Sequence, residues 1–269
     1  MAHSTLPDAR TAAKADVRRL RELLRDRAAR DAAGMFVCEG PRVVQAALDH
    51  GVVPTECLLG VAASAEARAA ADRCAASGVE VKALDAKAGD TVSPQGVFAL
   101  VPLRRRGIEA IAGADLVVVA PGINDPGNAG TLIRSAAAAG AQGISLGPGS
   151  VDAYNPKVVR ASAGACFAVT VVEGVPAVEV LEALGASGVR RLGAVPRGGD
   201  APERVDLSAP TAFVLGHETR GVDADLPLDG LVTLPMRAGE SLNVAMAGSV
   251  LLFEAARQRR VASDGDGPA

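Results

Sequence analysis

The sequence predicts an α/β fold in two domains, and three observations carry that prediction. Continuous apolar runs such as Leu116-Val-Val-Val-Ala120 have the pattern of strands buried on both faces of a parallel sheet. These runs alternate with stretches of helical periodicity along most of the chain. The 269 residues, 49% of them hydrophobic, suffice for two cores, and Pro102-Leu-Arg-Arg-Arg-Gly107 breaks the hydrophobic pattern between them.

In order, residues 8–33 carry Val17, Leu20, Leu23 and Leu24 at helical spacing and predict one amphipathic helix. Met35-Phe-Val-Cys38 reads as a strand, and Glu39-Gly-Pro leads into a helix over Val43–Asp49. Strands follow at 56–59, 79–83 and 95–101, with a helix at 65–76 after the first. Residues 1–101 therefore form a small α/β domain, and 102–107 form the linker. Beyond it, over 108–262, strands are expected at 115–120, 143–146, 168–172, 189–195, 211–215 and 231–234. Helices are expected at about 129–140, 156–163, 177–186 and 241–260, and residues 263–269, rich in Gly, Asp and Pro, read as a disordered tail.

Composition narrows the function classes. The 28 Lys and Arg against 31 Asp and Glu leave a net charge of -3, so nucleic acid would have to be met by local patches. Three basic clusters qualify: Arg10 to Arg30, Arg104 to Arg106, and Arg257, Arg259 and Arg260. With no Trp, one Tyr and five Phe, the chain lacks a stacking platform for single-stranded bases, which argues against an RRM or OB-type reader. Cys38, Cys57, Cys74 and Cys166 form no C-x-x-C pair and lie apart from His3, His50 and His217, indicating neither a metal site nor a disulfide framework. The polar, basic amino end and the short apolar stretch at 244–253 predict a soluble, reduced, cytoplasmic protein.

Three polar motifs interrupt the buried pattern in the second half. In Asn124-Asp-Pro-Gly-Asn-Ala-Gly-Thr-Leu-Ile-Arg134, Asp125-Pro-Gly is a turn and Asn128 is read as the cap of a helix starting near Ala129. Arg134 then lies inside that helix, either emerging to solvent or entering a pocket. The glycine spacing fits neither a dinucleotide fingerprint nor a P-loop. Leu215-Gly-His-Glu-Thr-Arg-Gly221 places His217 and Glu218 beyond the carboxyl end of a strand, the edge where open α/β sheets bind ligands. Leu234-Pro-Met-Arg-Ala-Gly-Glu-Ser-Leu-Asn243 leads into the last helix, with Glu240 and Ser241 as candidate caps and Asn243 inside the first turn. Ala245, Ala247 and Gly248 would let another segment pack close to that helix.

In this order the motifs closely resemble those of the SpoU family of RNA ribose 2'-O-methyltransferases, in the knotted SPOUT superfamily. The resemblance covers about residues 108–260, including Pro156-Lys-Val-Val-Arg-Ala-Ser-Ala-Gly164. Residues 1–101, with Phe36-Val-Cys-Glu-Gly-Pro-Arg42 and Ser93-Pro-Gln-Gly96, resemble the smaller ribosomal-protein-like substrate-binding domain that many members carry. The resemblance implies a carboxy-terminal α/β trefoil knot that binds S-adenosyl-L-methionine, and a homodimer whose active site is completed across the interface. By motif position it assigns catalytic places to Arg134, Asn128, Glu218, Ser241 and Asn243. Cofactor contacts, mainly through backbone, fall to Leu215, Gly216, His217, Leu234, Met236, Leu242 and Asn243. His217 stands where members more often have Asn, and the stretch Met236–Ser241 is one residue shorter than usual.

The implied substrate is RNA, with rRNA favoured over tRNA because a separate front domain suits structured RNA. A catalytically idle RNA-binding or ribosome-assembly factor is the competing class. A nucleotide-dependent oxidoreductase on an ordinary doubly wound sheet is a second. On the methyltransferase reading, Arg134 clamps phosphate and ribose, because a guanidinium with a pKa above roughly 12 is a poor proton acceptor. Asn128 and Asn243 orient the sugar, and Glu218 holds the loop or Arg134.

Overall fold

Asp26 divides the amino-terminal helical stretch in two. Its extended backbone ends α1 (Lys14–Arg25), and its side chain accepts the Ala28 N–H to start α2 (Arg27–Ala33), so the single expected helix becomes a pair. The computed structural model describes residues 9–85, 96–217 and 220–265. They divide into two compact units, one of residues 1–104 with 154–167 and one of 105–153 with 168–269.

In the first unit the chain continues through β1 (Met35–Glu39), α3 (Pro41–Asp49), β2 (Glu56–Gly60), α4 (Ala65–Ala76), β3 (Val81–Leu84) and β4 (Val97–Pro102). The sheet order is β1-β4-β2-β3, with β4 antiparallel to β1 and β2, and β2 parallel to β3. Val17, Leu20 and Leu23 of α1 bury against Val37, Leu58, Phe98 and Leu100. The expected start of β4 at Gln95, and Ser93-Pro-Gln of the front-domain motif, lie outside the described residues. Residues 154–167 group with this unit although they fall between elements of the other. They carry α6 (Pro156–Ala161), and Phe36 sits 4.9 Å from Tyr154 and 5.9 Å from Phe167 between ring centroids. Arg160 of α6 donates to buried Glu39 at 2.5 Å. All four cysteines are free and buried here, and burial pushes the Cys166 thiol up to about 12, so it is protonated at neutral pH.

The second unit is a six-stranded parallel sheet of order β10-β8-β9-β5-β6-β7. Its strands are β5 (Leu116–Ala120), β6 (Gly143–Leu146), β7 (Thr170–Glu173), β8 (Arg190–Ala194), β9 (Thr211–Leu215) and β10 (Gly230–Val232). Its helices are α5 (Pro126–Ala138), α7 (Ala177–Ala186) and α8 (Val244–Gly265). Every residue of β5 is buried, as its continuous apolar run requires. Val180, Leu181 and Leu184 of α7 cover one face over Val117, Val119, Ala212 and Val214. On the other, α5 and α8 pack so closely that a Cβ on Gly248 would fall 2.6 Å from Leu132 Cδ1 and 2.7 Å from Leu215 Cδ1. Gly248, one of the small residues that follow the third motif, thus serves this contact. Strand order reverses around β5: β6 and β7 extend one way, while β8, β9 and β10 lie the other way with β9 inserted against β5. Ligands of open parallel sheets bind at such a switch.

Three boundary readings are corrected. The fifth helix starts at Pro126, with Asp125 as its cap, so Asn128 stands in its first turn. Asn243 precedes α8, and its Oδ1 accepts the N–H groups of Ala245 and Met246, so it caps the helix in place of Glu240 or Ser241. The last helix runs to Gly265, with the Ser263 hydroxyl donating to the Arg259 carbonyl, so the chain is helical past the point where a tail was expected. Residues 266–269 lie outside the described ones.

Candidate functional site

At the carboxyl edge of this sheet the loops after β8, β9 and β10 meet the amino ends of α5 and α8. They enclose a cavity of about 830 Å³, within the range of small-molecule sites. Ala194, Val195 and Pro196 come from β8 and its loop, Leu215, Gly216, His217, Arg220 and Gly221 from β9 and its loop, and Val232, Leu234 and Met236 from β10 and beyond. Asp125 and Asn128 enter from α5, and Glu240 to Val244, Ala247 and Leu251 from the segment leading into α8.

The three motifs converge, and two contacts fix how. Asn243 Nδ2 donates to Asn128 Oδ1 at 2.9 Å, joining the first motif to the third across 115 positions. The His217 ring lies against Gly122, where an added Cβ would come within 2.7 Å of its Cδ2, joining the second motif to the loop after β5. Asn243 is oriented from both ends of its amide: Oδ1 accepts from the α8 backbone while Nδ2 reaches Asn128. Such two-ended fixing sets the rotamer, so the amides are presented in one geometry. The paired backbone bonds of His217 and Gly221, both 2.9 Å, close the loop between them. A side chain at Gly216 could not fit beside Gly221 and Val222, where a Cβ would meet backbone atoms at 2.3 and 2.5 Å.

Of the residues that the sequence singled out, Asn128, Leu215, Gly216, His217, Leu234, Met236, Ser241, Leu242 and Asn243 line the cavity. Arg134 does not: it is exposed on α5, outside the lining set, more than two turns from the helix start. Glu218 lies outside the described residues. Asp125, Arg220, Glu240 and the end of β8 also line the cavity and were not assigned from the sequence. Asp125 was legible, since Asp-Pro is a cap followed by a first-turn proline. The end of β8 follows from parallel order alone, which puts all carboxyl ends on one edge.

All three basic clusters have structural partners: in the amino-terminal one Arg19 pairs with Glu56 and Arg30 donates to the Leu23 carbonyl at 2.7 Å. Arg105 pairs with Glu173, and Arg257 with Glu254 at 2.7 Å. Arg259 donates to the carbonyls of Leu207, Ala209 and Asp115. Among the described residues no group of His, Cys, Asp and Glu could hold a metal ion, and no helix is long and apolar enough to cross a membrane.

The donor set fits S-adenosyl-L-methionine. Leu215, Val232, Leu234, Met236 and Leu251 supply apolar walls, strand-end backbone supplies hydrogen-bonding edges, and the carboxylates of Asp125 and Glu240 suit a cationic sulfonium.

Comparison with known proteins agrees. Residues 115–253 match the SpoU rRNA Methylase family, and residues 14–99 match the MRM3-like substrate binding domain. An uncharacterized tRNA/rRNA methyltransferase of Synechocystis sp. is 32% identical over 256 residues, 92% of either chain. A 23S rRNA (guanosine-2'-O-)-methyltransferase of Xanthomonas axonopodis, RlmB, is 36% identical over 192 residues, 67% of this chain and 77% of its own. The crystal structure of the SpoU methyltransferase AviRb from Streptomyces viridochromogenes with AdoMet superposes with a TM-score of 0.81 at 29% identity, covering 92% of this chain and 99% of that one. With its catalytic-region match spanning more than half its length, and with converging motifs in the family's order, the chain belongs to the SpoU rRNA methylase family.

Proposed function

We propose that this protein is an S-adenosyl-L-methionine-dependent RNA ribose 2'-O-methyltransferase acting on rRNA, and thus working in the cytoplasm. The Asn128–Asn243 hydrogen bond on the wall of the cavity carries the reading, because it joins two motifs of the family into one polar feature where a ribose can be received. The Xanthomonas relative, named as a 2'-O-methyltransferase of 23S rRNA, supports the substrate class.

The cofactor supplies a methyl group on a sulfonium, whose transfer to an oxygen neutralises charge. The tasks left to the chain are alignment and handling of the hydroxyl proton. Leu215, Gly216, His217, Leu234, Met236, Leu242 and Asn243 hold the cofactor, with apolar side chains excluding water and backbone groups fixing orientation. Asn128 and Asn243 hold the ribose hydroxyl with side-chain amides locked before substrate arrives. Ser241 lines the same wall, and Glu218 steadies the loop after β9.

Arg134 binds the target phosphate and ribose. It is exposed and outside its own chain's cavity, so it serves a second protomer's site in a homodimer. An unpartnered apolar stripe on and just before α8 supports the dimer: Leu242, Met246, Val250 and Phe253, spaced four, four and three apart, are 46 to 57% exposed. The insertion of β9 between β5 and β8, and the packing of α8 on α5, support a trefoil knot within 108–262, with 1–101 as the RNA-recognising domain and 102–107 as the linker.

Transfer of labelled methyl from S-adenosyl-L-methionine to deproteinised 23S rRNA tests the reading. Label at a 2'-O position is expected. Binding of S-adenosylhomocysteine and rRNA without transfer would leave an RNA-binding factor instead.

A further inference from the structure

The loops that frame the cavity carry a feature that neither the motifs nor the cofactor require. Immediately after each of the three adjacent parallel strands β8, β9 and β10 stands an exposed arginine: Arg197, Arg220 and Arg237. Arg220 lines the cavity, Arg197 follows the lining residue Pro196, and Arg237 follows the lining residue Met236. The strands are parallel and neighbours in the sheet, so all three cations are brought to one edge. Among the described residues none of the three has a hydrogen-bond or ion-pair partner.

Two of the loops have their backbone tied close to the arginine they carry. The turn bearing Arg197 is strapped to the end of β10: Val195 N–H donates to the Val232 carbonyl at 2.9 Å and Gly199 N–H to Thr233 Oγ1 at 2.9 Å. That hydroxyl in turn donates to the Val195 carbonyl at 3.0 Å. The loop bearing Arg220 is closed by the paired His217 and Gly221 bonds. A backbone held at the base of a loop while its guanidinium is left without an acceptor suits a site that awaits an anion, because binding then has mainly the side chain left to order. Two of the three cations stand outside the acids. Asp125 and Glu240 belong to the cavity lining, where they suit a cationic donor and which Arg220 shares, whereas Arg197 and Arg237 lie one residue beyond it.

A planar guanidinium matches a phosphate with two parallel hydrogen bonds. We propose that Arg197, Arg220 and Arg237 form a phosphate-binding collar around the cavity and grip the RNA backbone on either side of the target nucleoside. The inference rests on the methyltransferase reading for its substrate class.

The test uses the full-length protein with deproteinised 23S rRNA as the probe. It compares the triple variant Arg197→Ala/Arg220→Ala/Arg237→Ala with the corresponding triple Lys variant. A control variant, Arg204→Ala/Arg260→Ala, removes two exposed arginines elsewhere. Single-strand phosphate contacts contribute about 0.7 each to the slope of log K against log salt. The triple Ala variant should therefore lower that slope by about 2 and weaken rRNA binding tenfold or more near 0.1 M salt. The Lys variant should keep most of the slope, the control should keep all of it, and S-adenosylhomocysteine affinity should be unchanged in all. An unchanged slope in the triple Ala variant overturns the collar, as does an equal fall in the control. Loss of S-adenosylhomocysteine binding would assign the arginines to the cofactor carboxylate and also overturn it. If wild type shows the expected slope but transfers no methyl, the methyltransferase reading fails and the collar stands. If it transfers methyl with the slope unaltered by substitution, the reverse holds.

Discussion

The two edges of the parallel sheet use the same residue type in opposite ways. At the amino edge, arginines have protein acceptors: Arg190 donates to the Asp206 carbonyl, Arg191 grips Asp229 with bonds of 2.6 and 2.8 Å, and Arg259 spans three backbone carbonyls. At the carboxyl edge, Arg197, Arg220 and Arg237 have no such acceptor among the described residues. Carbonyls that precede strands must find donors, and a long side chain from α8 or β8 supplies them. Past the strand ends, loops open around a cavity and donors are left for a ligand. Location on the sheet, more than residue identity, separates a structural arginine from a functional one.

The comparison predicts two classes of variant. The largest effect is expected from Arg134→Ala, on α5, if that arginine binds the substrate as proposed: methyl transfer to rRNA should fall by about 10²- to 10³-fold, in the range for removal of one charge-stabilising donor. Thermal unfolding and S-adenosylhomocysteine binding should stay near wild type, because the side chain is exposed. Retention of full activity would remove Arg134 from the site. Mixing it with Asn128→Ala should restore part of the activity if the two residues act from different protomers.

Next comes Arg259→Ala, at the amino edge. Burial holds its guanidinium pKa below the ordinary value, and its loss leaves carbonyls of Leu207, Ala209 and Asp115 without this donor. A loss of about 2–3 kcal/mol in chemical denaturation is expected, with the cofactor affinity of the remaining folded protein unchanged. A stable variant deficient in RNA binding would erase the distinction between the edges.

How much of this was legible in the sequence follows the same division. Motif loops stand out because Gly and Pro bend the backbone between apolar runs, so their arrival at one edge could be read from strand order. Capping was harder. Asp125 and Asn128 are both competent caps, and only Pro126, suited to a first helical position, separates them. Ser241 and Asn243 are likewise both competent; Asn243 Oδ1 takes the cap, and the bond that its Nδ2 donates to Asn128, between residues 115 positions apart, fixes that amide and has no local signature. The split at Asp26 was hidden because Ala- and Arg-rich sequence of high helix propensity continues on both sides of it. The basic clusters misled for a related reason: a run such as Arg257, Arg259 and Arg260 looks like one surface, yet partners in three dimensions give its members separate tasks.

Asn243→Ala tests the overlap between the classes, since this residue both caps α8 and holds Asn128. Removing a cap costs about 1 kcal/mol. Activity should fall by more than that stability loss explains, roughly tenfold or beyond, if the amide also orients the ribose. Asn243→Asp separates the roles: the cap acceptor is kept while the donor to Asn128 is lost. Stability should therefore recover while activity does not. Recovery of both would reduce Asn243 to a cap.

The smallest effect is expected at Glu254, a residue of neither edge. Its hydrogen bonds from Arg257, at 2.7 and 2.9 Å, hold its carboxyl down at about 2 against an ordinary 4.5. A depressed carboxyl stabilises the fold most fully above its unfolded value, and that contribution fades as pH falls from about 4.5 towards 2. Since Arg257 is half exposed, solvent screens the pair, and Glu254→Gln should cost only about 0.3–0.5 kcal/mol at pH 7. The difference from wild type in chemical denaturation should narrow on acidification from about pH 4.5 towards 2 and shrink in high salt. A difference that instead persists undiminished down to about pH 2 would assign the stabilisation to packing of the side chain on α8, not to its charge.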